Sequence, residues 1–333
     1  MTDSDGVKVA YRFVALGLFF RNAIFGRAIQ VKFVLALSLL LMSLVLSQSL
    51  IVVNIMFLLL ISMSLYRLSG KEVAIALLVP TAIIVLLHVV LLLTGQLVVL
   101  STDFGERTRS TLGFTNANQV SAIYLSFALL ALFAYQQFRT KESLLLVVIS
   151  FVAGFMVVWS TDSRTTMFAL FFLLLLQLLE FLFHRFKIYR VSLRYFAVAS
   201  PFIASAATYY LTTSKNPELD VLLSLRPYFF SEFMSQAKTL DLFVGWSTLE
   251  NAGVDNLFLM LLSGVGAIGF LLIIPGISYR IFRMNSKFIS ITIVMMSVSV
   301  SESFLLRPEI PISAFFIHLL LSRQLQQRQY KSN

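Results

Sequence analysis

Four stretches of this chain place polar residues of useful chemistry at short spacing. In the first, Arg107 and Arg109 precede Gly113-Phe114 and the pair Asn116 and Asn118. Guanidinium forks grip phosphate or carboxylate oxygens two at a time. An Asn just ahead of an apolar run can start a helix, whose free N–H groups also attract anions. The same residues would equally suit a solvated loop resting on lipid headgroups. The second stretch is Thr161-Asp162-Ser163-Arg164, a tight polar turn between two apolar runs. It fixes an Arg at a bilayer edge, or is a plain interfacial turn with an internal Asp162–Arg164 ion pair. In the third, Arg226 precedes Phe229, Phe230, Phe233, Met234 and Ala237. That spacing predicts an amphipathic helix lying on a membrane, with Arg226 at its start. The fourth is Asp255-Asn256, which opens an apolar run containing Ser263, Gly264, Gly266, Ala267 and Gly269. A carboxylate there can simply cap the helix, and the small residues suit close helix packing.

The elements that carry these stretches must be membrane spans. Of 333 residues, 58% are apolar and only 13% charged, and the mean hydropathy is +0.88. A soluble domain carries about 25% charged residues, so an ordinary soluble enzyme, a disordered chain and a coiled coil are excluded. There is no Cys, and the three His (His88, His184, His318) lie far apart. Disulfides and thiolate metal sites are therefore excluded, and zinc chemistry is not expected. No Walker A or glycine-rich nucleotide loop is present. The net charge of +10 reads as membrane orientation rather than nucleic-acid binding. His88 is expected to be a hydrogen-bonded residue between helices, and Glu180 to pair with His184 four positions on or to snorkel.

Residues 33–66 contain no charge. One helix of that length would reach about 51 Å, against a bilayer core of about 30 Å, so two short spans with a turn at Ser47-Gln48-Ser49 are predicted. Further spans are predicted at 73–94, 119–135, 144–159, 167–183, 195–212, 257–277, 288–300 and 304–321, about ten in all. With the N-terminus inside, 19 of the 26 Lys and Arg fall on the inner side and 7 on the outer. Treating 33–66 as one span would erase that bias, so the hairpin and cytoplasmic termini are favoured. Residues 1–32 then form a cytoplasmic or interfacial segment, 33–322 the transmembrane domain with a large outer loop at 213–256, and 323–333 a cytoplasmic tail. All four polar stretches fall on the outer face. Asp3-Ser-Asp5 mimics a metal-binding Asp-x-Asp but lies on the inner side.

In their order along residues 107 to 270 these stretches resemble the Wzy-type polysaccharide polymerase and WaaL-type O-antigen ligase superfamily. The matching features are Arg109 with Gly113-Phe114 and Asn116-Ala117-Asn118, where the family has Asn-Pro-Asn. They continue with Thr161-Asp162-Ser163-Arg164, with Arg226 ahead of Gly245, and with Asp255-Asn256 ahead of Gly266 and Gly269. The resemblance implies an all-α, GT-C-like membrane glycosyltransferase of the bacterial cytoplasmic membrane, without cofactor or metal. Its substrate would be an undecaprenyl-diphosphate-linked oligosaccharide, and membrane lipid, a flippase and a chain-length regulator would be its partners. Arg164 and Arg226 would act with Asp255 in catalysis, Asp255 as general base. Arg107, Arg109, Asn116, Asn118 and Asn256 would bind substrate. Ligases of the family carry His at the Asp255 position, so Asp there leans toward chain extension. The rival readings are ligation of the finished glycan to another acceptor and flipping or export of the lipid-linked sugar.

Overall fold

The computed structural model describes residues 50–65, 68–97, 99, 101–104, 107–114, 116–183, 185–214, 223, 226–235, 237–245, 255–308 and 310–322. The predicted first span, the N-terminal segment, the C-terminal tail and His184 lie outside the described residues.

The described chain is helical apart from one hairpin. Its helices are α1 (Leu50–Leu65), α2 (Gly70–Leu93), α3 (Ala117–Phe138), α4 (Lys141–Thr161), α5 (Arg164–Phe183) and α6 (Lys187–Thr213). They continue with α7 (Arg226–Ser235), α8 (Thr239–Val244), α9 (Leu257–Phe282), α10 (Ile289–Val298) and α11 (Pro311–Leu321). Five of these, α2, α3, α4, α5 and α9, are long and apolar enough to cross a membrane. The chain has the make-up of a membrane-embedded protein.

Short connections make neighbours antiparallel. Residues 139–140 join α3 to α4, and 162–163 join α4 to α5. Local caps fix several starts. Ser69 and Glu72 form a reciprocal capping box at α2, and Thr140 with Ser143 does the same at α4. Helix α3 is the central post, with 89% of its apolar window buried, against 28% for α2 and α5. The outward faces carry Leu86, Met156, Trp159, Phe181 and Leu272, all exposed. Such a surface is stable where lipid covers it.

Three features depart from the sequence reading. The loop after α2 holds an antiparallel hairpin, β1 (Ser101–Phe104) with β2 (Arg107–Ser110), in which Thr102 faces Arg109. Gly266 is not just a packing surface. It breaks α9 with φ 67° and ψ 176°, and a Cβ there would land on the Phe243 carbonyl at the end of α8. Gly245 approaches from the other side, its absent Cβ facing the Ser263 carbonyl. Only glycine fits such a contact between backbones.

The third departure is near the C-terminus. Helices α10 and α11 have 10 and 11 residues, about 15 and 17 Å, half a bilayer core. Between them residues 299–308 run through turns and a 3₁₀ segment (Phe304–Leu306), with Glu302, Ser303 and Leu305 buried. Irregular backbone away from water must be satisfied within the protein. Glu302 N donates to the Val298 carbonyl, Leu306 N to Ser303 and Ile310 N to Arg307, each near 3.0 Å.

Candidate active site

Every one of the four polar stretches reaches the same end of the bundle. The C-termini of α2, α4, α6 and α10 meet the N-termini of α3, α5, α9 and α11 there.

The first stretch is braced from below by α2 and α3. His88 Nε2 lies 2.8 Å from the Leu112 carbonyl and Nδ1 2.9 Å from the Tyr124 hydroxyl. A carbonyl only accepts, so Nε2 donates and Nδ1 accepts from Tyr124. The ring also stands edge-on to Phe114 at 5.1 Å. His88 is thus a bonded residue between helices, and it holds the Leu112–Gly113 turn, where φ is positive at both positions. From that turn Arg109 reaches across: Nη2 donates to Asn118 Oδ1 at 2.6 Å and Nε to the Thr161 carbonyl at 3.2 Å. Asn116 caps α3, its Oδ1 accepting from Asn118 N. Arg107 stands in β2 opposite Phe104.

Arg164 is the first residue of α5 and is exposed. It makes no hydrogen bond or ion pair among the described residues, so the internal pair with Asp162 does not form. Its neighbour Thr165 accepts from Ser301 Oγ at 3.3 Å, next to Glu302.

Arg226 opens α7, as its spacing predicts. The helix is docked on the protein rather than laid freely on a surface. Phe230 and Phe233 are buried against Leu259 of α9, while Tyr228 and Phe229 stay exposed. Pairs three apart point to one side of a helix, which is why the inward pair is 230 and 233. The Arg226 Nη2 donates to Glu302 Oε1 at 3.0 Å.

Asp255 does not cap α9; Asn256 does. Asn256 Oδ1 accepts from Phe258 N and Leu259 N, and Nδ2 donates to Thr208 Oγ1 and the Val300 carbonyl. All four bonding positions of the amide are used, so this fully buried residue clamps α6, α9 and the 299–308 segment and has none left for a substrate. A substrate contact through Asn256, as the resemblance implies, would have to displace one of these bonds. Asp255 is freed for a different partner: Arg307 Nη2 donates to its Oδ1 at 2.7 Å, and Ser303 Oγ donates at 3.2 Å.

A small cleft opens at this junction, lined by Asn116, Asn118, Gln119, Asp255, Glu302, Phe304 and Arg307. Glu302 and Arg307 were not among the predicted site residues. One signal marked them: an acid between the predicted 288–300 and 304–321 spans and a base five positions on, inside the start of the second. Burial pushes the Glu302 carboxyl up to about 7, with Arg226 pulling it down most strongly and Asp255 pushing it further up. Arg307 and Arg109 also lower it. Among the described residues no three His, Asp or Glu converge as metal ligands. The cleft can grip an anion through guanidinium groups and can accept a proton on a carboxylate.

Comparisons with protein-family models, curated proteins and solved structures produced no match to this chain.

Proposed function

We propose that this chain is a membrane glycosyltransferase that joins undecaprenyl-diphosphate-linked oligosaccharide repeat units at the outer face of the bacterial cytoplasmic membrane. It would do so as a protein of about ten spans with both termini cytoplasmic. One observation carries the reading: Asp255, Glu302 and Arg307 line one cleft at the end bearing the sequence's outer loops, with Arg226 bonded to Glu302 and Arg109 bonded to Asn118 of the cleft wall. Glycosyl transfer from a lipid diphosphate needs two things. The leaving diphosphate gains charge, which fixed guanidinium groups stabilise. The attacking sugar hydroxyl loses a proton, which a carboxylate accepts. Arg109, Arg164 and Arg226 suit the first task, with Arg107 in the neighbouring strand. Asp255 and its neighbour Glu302 suit the second. Asn116 and Asn118 at the cleft wall suit sugar hydroxyls. A flippase supplying the lipid-linked unit and a regulator of chain length would be partners.

The test is the glycan of cells lacking this chain. Single repeat units held on the lipid diphosphate support polymerisation. Long lipid-linked chains without attachment mean ligation instead, and accumulation at the inner leaflet means flipping. Orientation is tested by a Cys at exposed Ser231, in a chain with no Cys of its own. An impermeant maleimide should label it in intact cells; labelling only after permeabilisation overturns the outward placement.

A further inference from the structure

We infer that Glu302, and not Asp255, takes the proton from the acceptor hydroxyl, and that the donor's diphosphate frees it to do so by drawing Arg226 away. This rests on the glycosyl-transfer reading above.

The two carboxylates share the cleft but are held differently. Asp255 is locked by partners from its own wall: Arg307 at 2.7 Å and the Ser303 hydroxyl both reach Oδ1 from the 303–307 turn. That turn is closed by its own backbone bonds. The Glu302 carboxylate is bonded, among the described residues, by Arg226 alone, which comes from a different element, the start of α7. The Arg226 side chain is 24% exposed and that of Glu302 8%. Within this pair an anion arriving from solvent meets the arginine first and the carboxylate behind it, while Arg307, 36% exposed, is the guanidinium that lines the cleft itself.

Charge favours the exchange. Around Glu302 stand Arg226 from α7, Arg109 from β2, Arg307 from the 3₁₀ turn and Asp255 ahead of α9. With both carboxylates ionised the five groups carry a net charge of about +1, so a diphosphate is drawn in, and it competes with Glu302 for the Arg226 fork. Arg226 is also the strongest influence lowering the Glu302 proton affinity. Turning the guanidinium onto the diphosphate raises that affinity at the moment the acceptor arrives. An ideal base has its proton affinity near the working pH, and Glu302 at about 7 meets that condition before the donor binds.

The step balances without an added reagent. The acceptor oxygen forms a bond to the anomeric carbon of the donor sugar, and the bond from that carbon to the phosphate oxygen breaks. The electron pair leaves with the lipid diphosphate beside Arg226. The acceptor's proton goes to Glu302.

The test uses the full chain in liposomes, the lipid-linked unit extracted from cells lacking it, and undecaprenyl diphosphate as a binding probe. Glu302→Gln should lower turnover by about 10²–10⁴ yet bind undecaprenyl diphosphate several-fold more tightly, because Arg226 has lost its competitor. A pair that only braced the fold predicts weaker binding, and unchanged or weaker binding overturns the proposal. Asp255→Asn should cost about tenfold and move the acid limb of kcat/KM below its wild-type place near pH 7, since a charge that raises Glu302 is gone. A 10²–10⁴ loss in Asp255→Asn with Glu302→Gln still active hands the base role to Asp255. Should Glu302→Gln not fold, Glu302→Asp keeps the charge, and its acid limb must shift from the wild-type position; an unshifted limb overturns the assignment. Wild-type protein that builds no polymer from this unit sinks the glycosyl-transfer reading itself, a separate outcome.

Discussion

The two ends of the helical bundle handle charge in opposite ways. At the cleft end, ions meet across long stretches of chain, Arg226 with Glu302 and Asp255 with Arg307, and all are at least half-buried. At the other end no buried ion pair forms among the described residues; Glu180 accepts from Ser290 and Arg194 donates to the Met284 carbonyl across long stretches, but the helix caps are local and exposed. Ser69 and Glu72 cap one helix, Thr140 and Ser143 another, and Arg283 lies over the ring of Tyr279 four positions away. Local exposed pairs contribute little and are screened by salt. Removing one partner of a buried pair strands a charge and costs much more. One end is therefore built to hold charges in fixed geometry. The other is built to end helices and, by its Lys and Arg, to set which way the chain faces.

The largest effect that would sharpen this contrast is Arg109→Ala. It removes the tie to Asn118 and to the Thr161 carbonyl and one guanidinium from the cleft. We expect turnover to drop by about 10²–10³, the usual cost of losing one group aimed at developing charge. Arg283→Ala, at the other end, should stay within about twofold, the scale of an exposed pair. Equal losses in the two, measured as polymer formed per amount of inserted protein, would break the comparison.

Next comes the clamp. Asn256→Ala removes the cap of α9 and leaves Thr208 and the Val300 carbonyl without their donor. A lost cap costs about 1 kcal/mol and each of the two stranded buried groups about 1–3 kcal/mol, so melting in detergent should show a loss of about 3–7 kcal/mol. Asn256→Asp keeps the capping oxygens and loses the two donors, and should fall between. A loss of turnover with unchanged melting would place Asn256 among the substrate contacts.

How much of this was legible in the sequence follows from the range of each interaction. The starts of α2, α3, α4, α5 and α9 were legible to within a few residues from their apolar runs, and Asn116 marked one locally, while at α9 the cap was assigned to Asp255 instead of Asn256. Arg226 at a helix start was legible from the Phe230 and Phe233 spacing. The ion pairs were not. Arg226 and Glu302 are 76 positions apart, and Asp255 and Arg307 are 52 apart, distances that only the packing of α6, α9 and α10 resolves. Gly266 was read as a packing glycine because a small side chain serves that role and a backbone break equally well. Only its contact with Phe243 separates the two. The hairpin escaped because four-residue strands of Ser, Thr, Asp and Arg carry no apolar alternation to mark them.

A smaller effect tests whether geometry matters beyond charge. Arg164 is exposed at the start of α5, beside the Thr165–Ser301 contact. If it lends a planar fork to the diphosphate, Arg164→Lys keeps the charge but not the paired bonds, and turnover should fall about tenfold, worth about 1.4 kcal/mol. Arg280→Lys near the other end of α9 should be neutral. Matching behaviour at equal expression would make Arg164 an orientation residue only.

The smallest expected effect concerns the far end itself. Ser69→Ala removes the hydroxyl that accepts from Glu72 N, and with it half of the reciprocal box that starts α2. The Glu72 carboxylate still accepts from Ser69 N at 2.7 Å, because that donor is backbone and survives the change. One capping bond out of two should cost about 0.5–1 kcal/mol, read as a small fall in melting temperature. The point at which helix α2 braces the cleft, His88 and the turn it holds, lies 19 positions up the helix, and a frayed first turn does not propagate that far along a packed helix. Turnover of Ser69→Ala should therefore match wild type at a temperature well below melting. A clear loss of turnover there, with His88 and its bonds untouched, would mean that the two ends are coupled through α2 and that the division of labour between them is wrong.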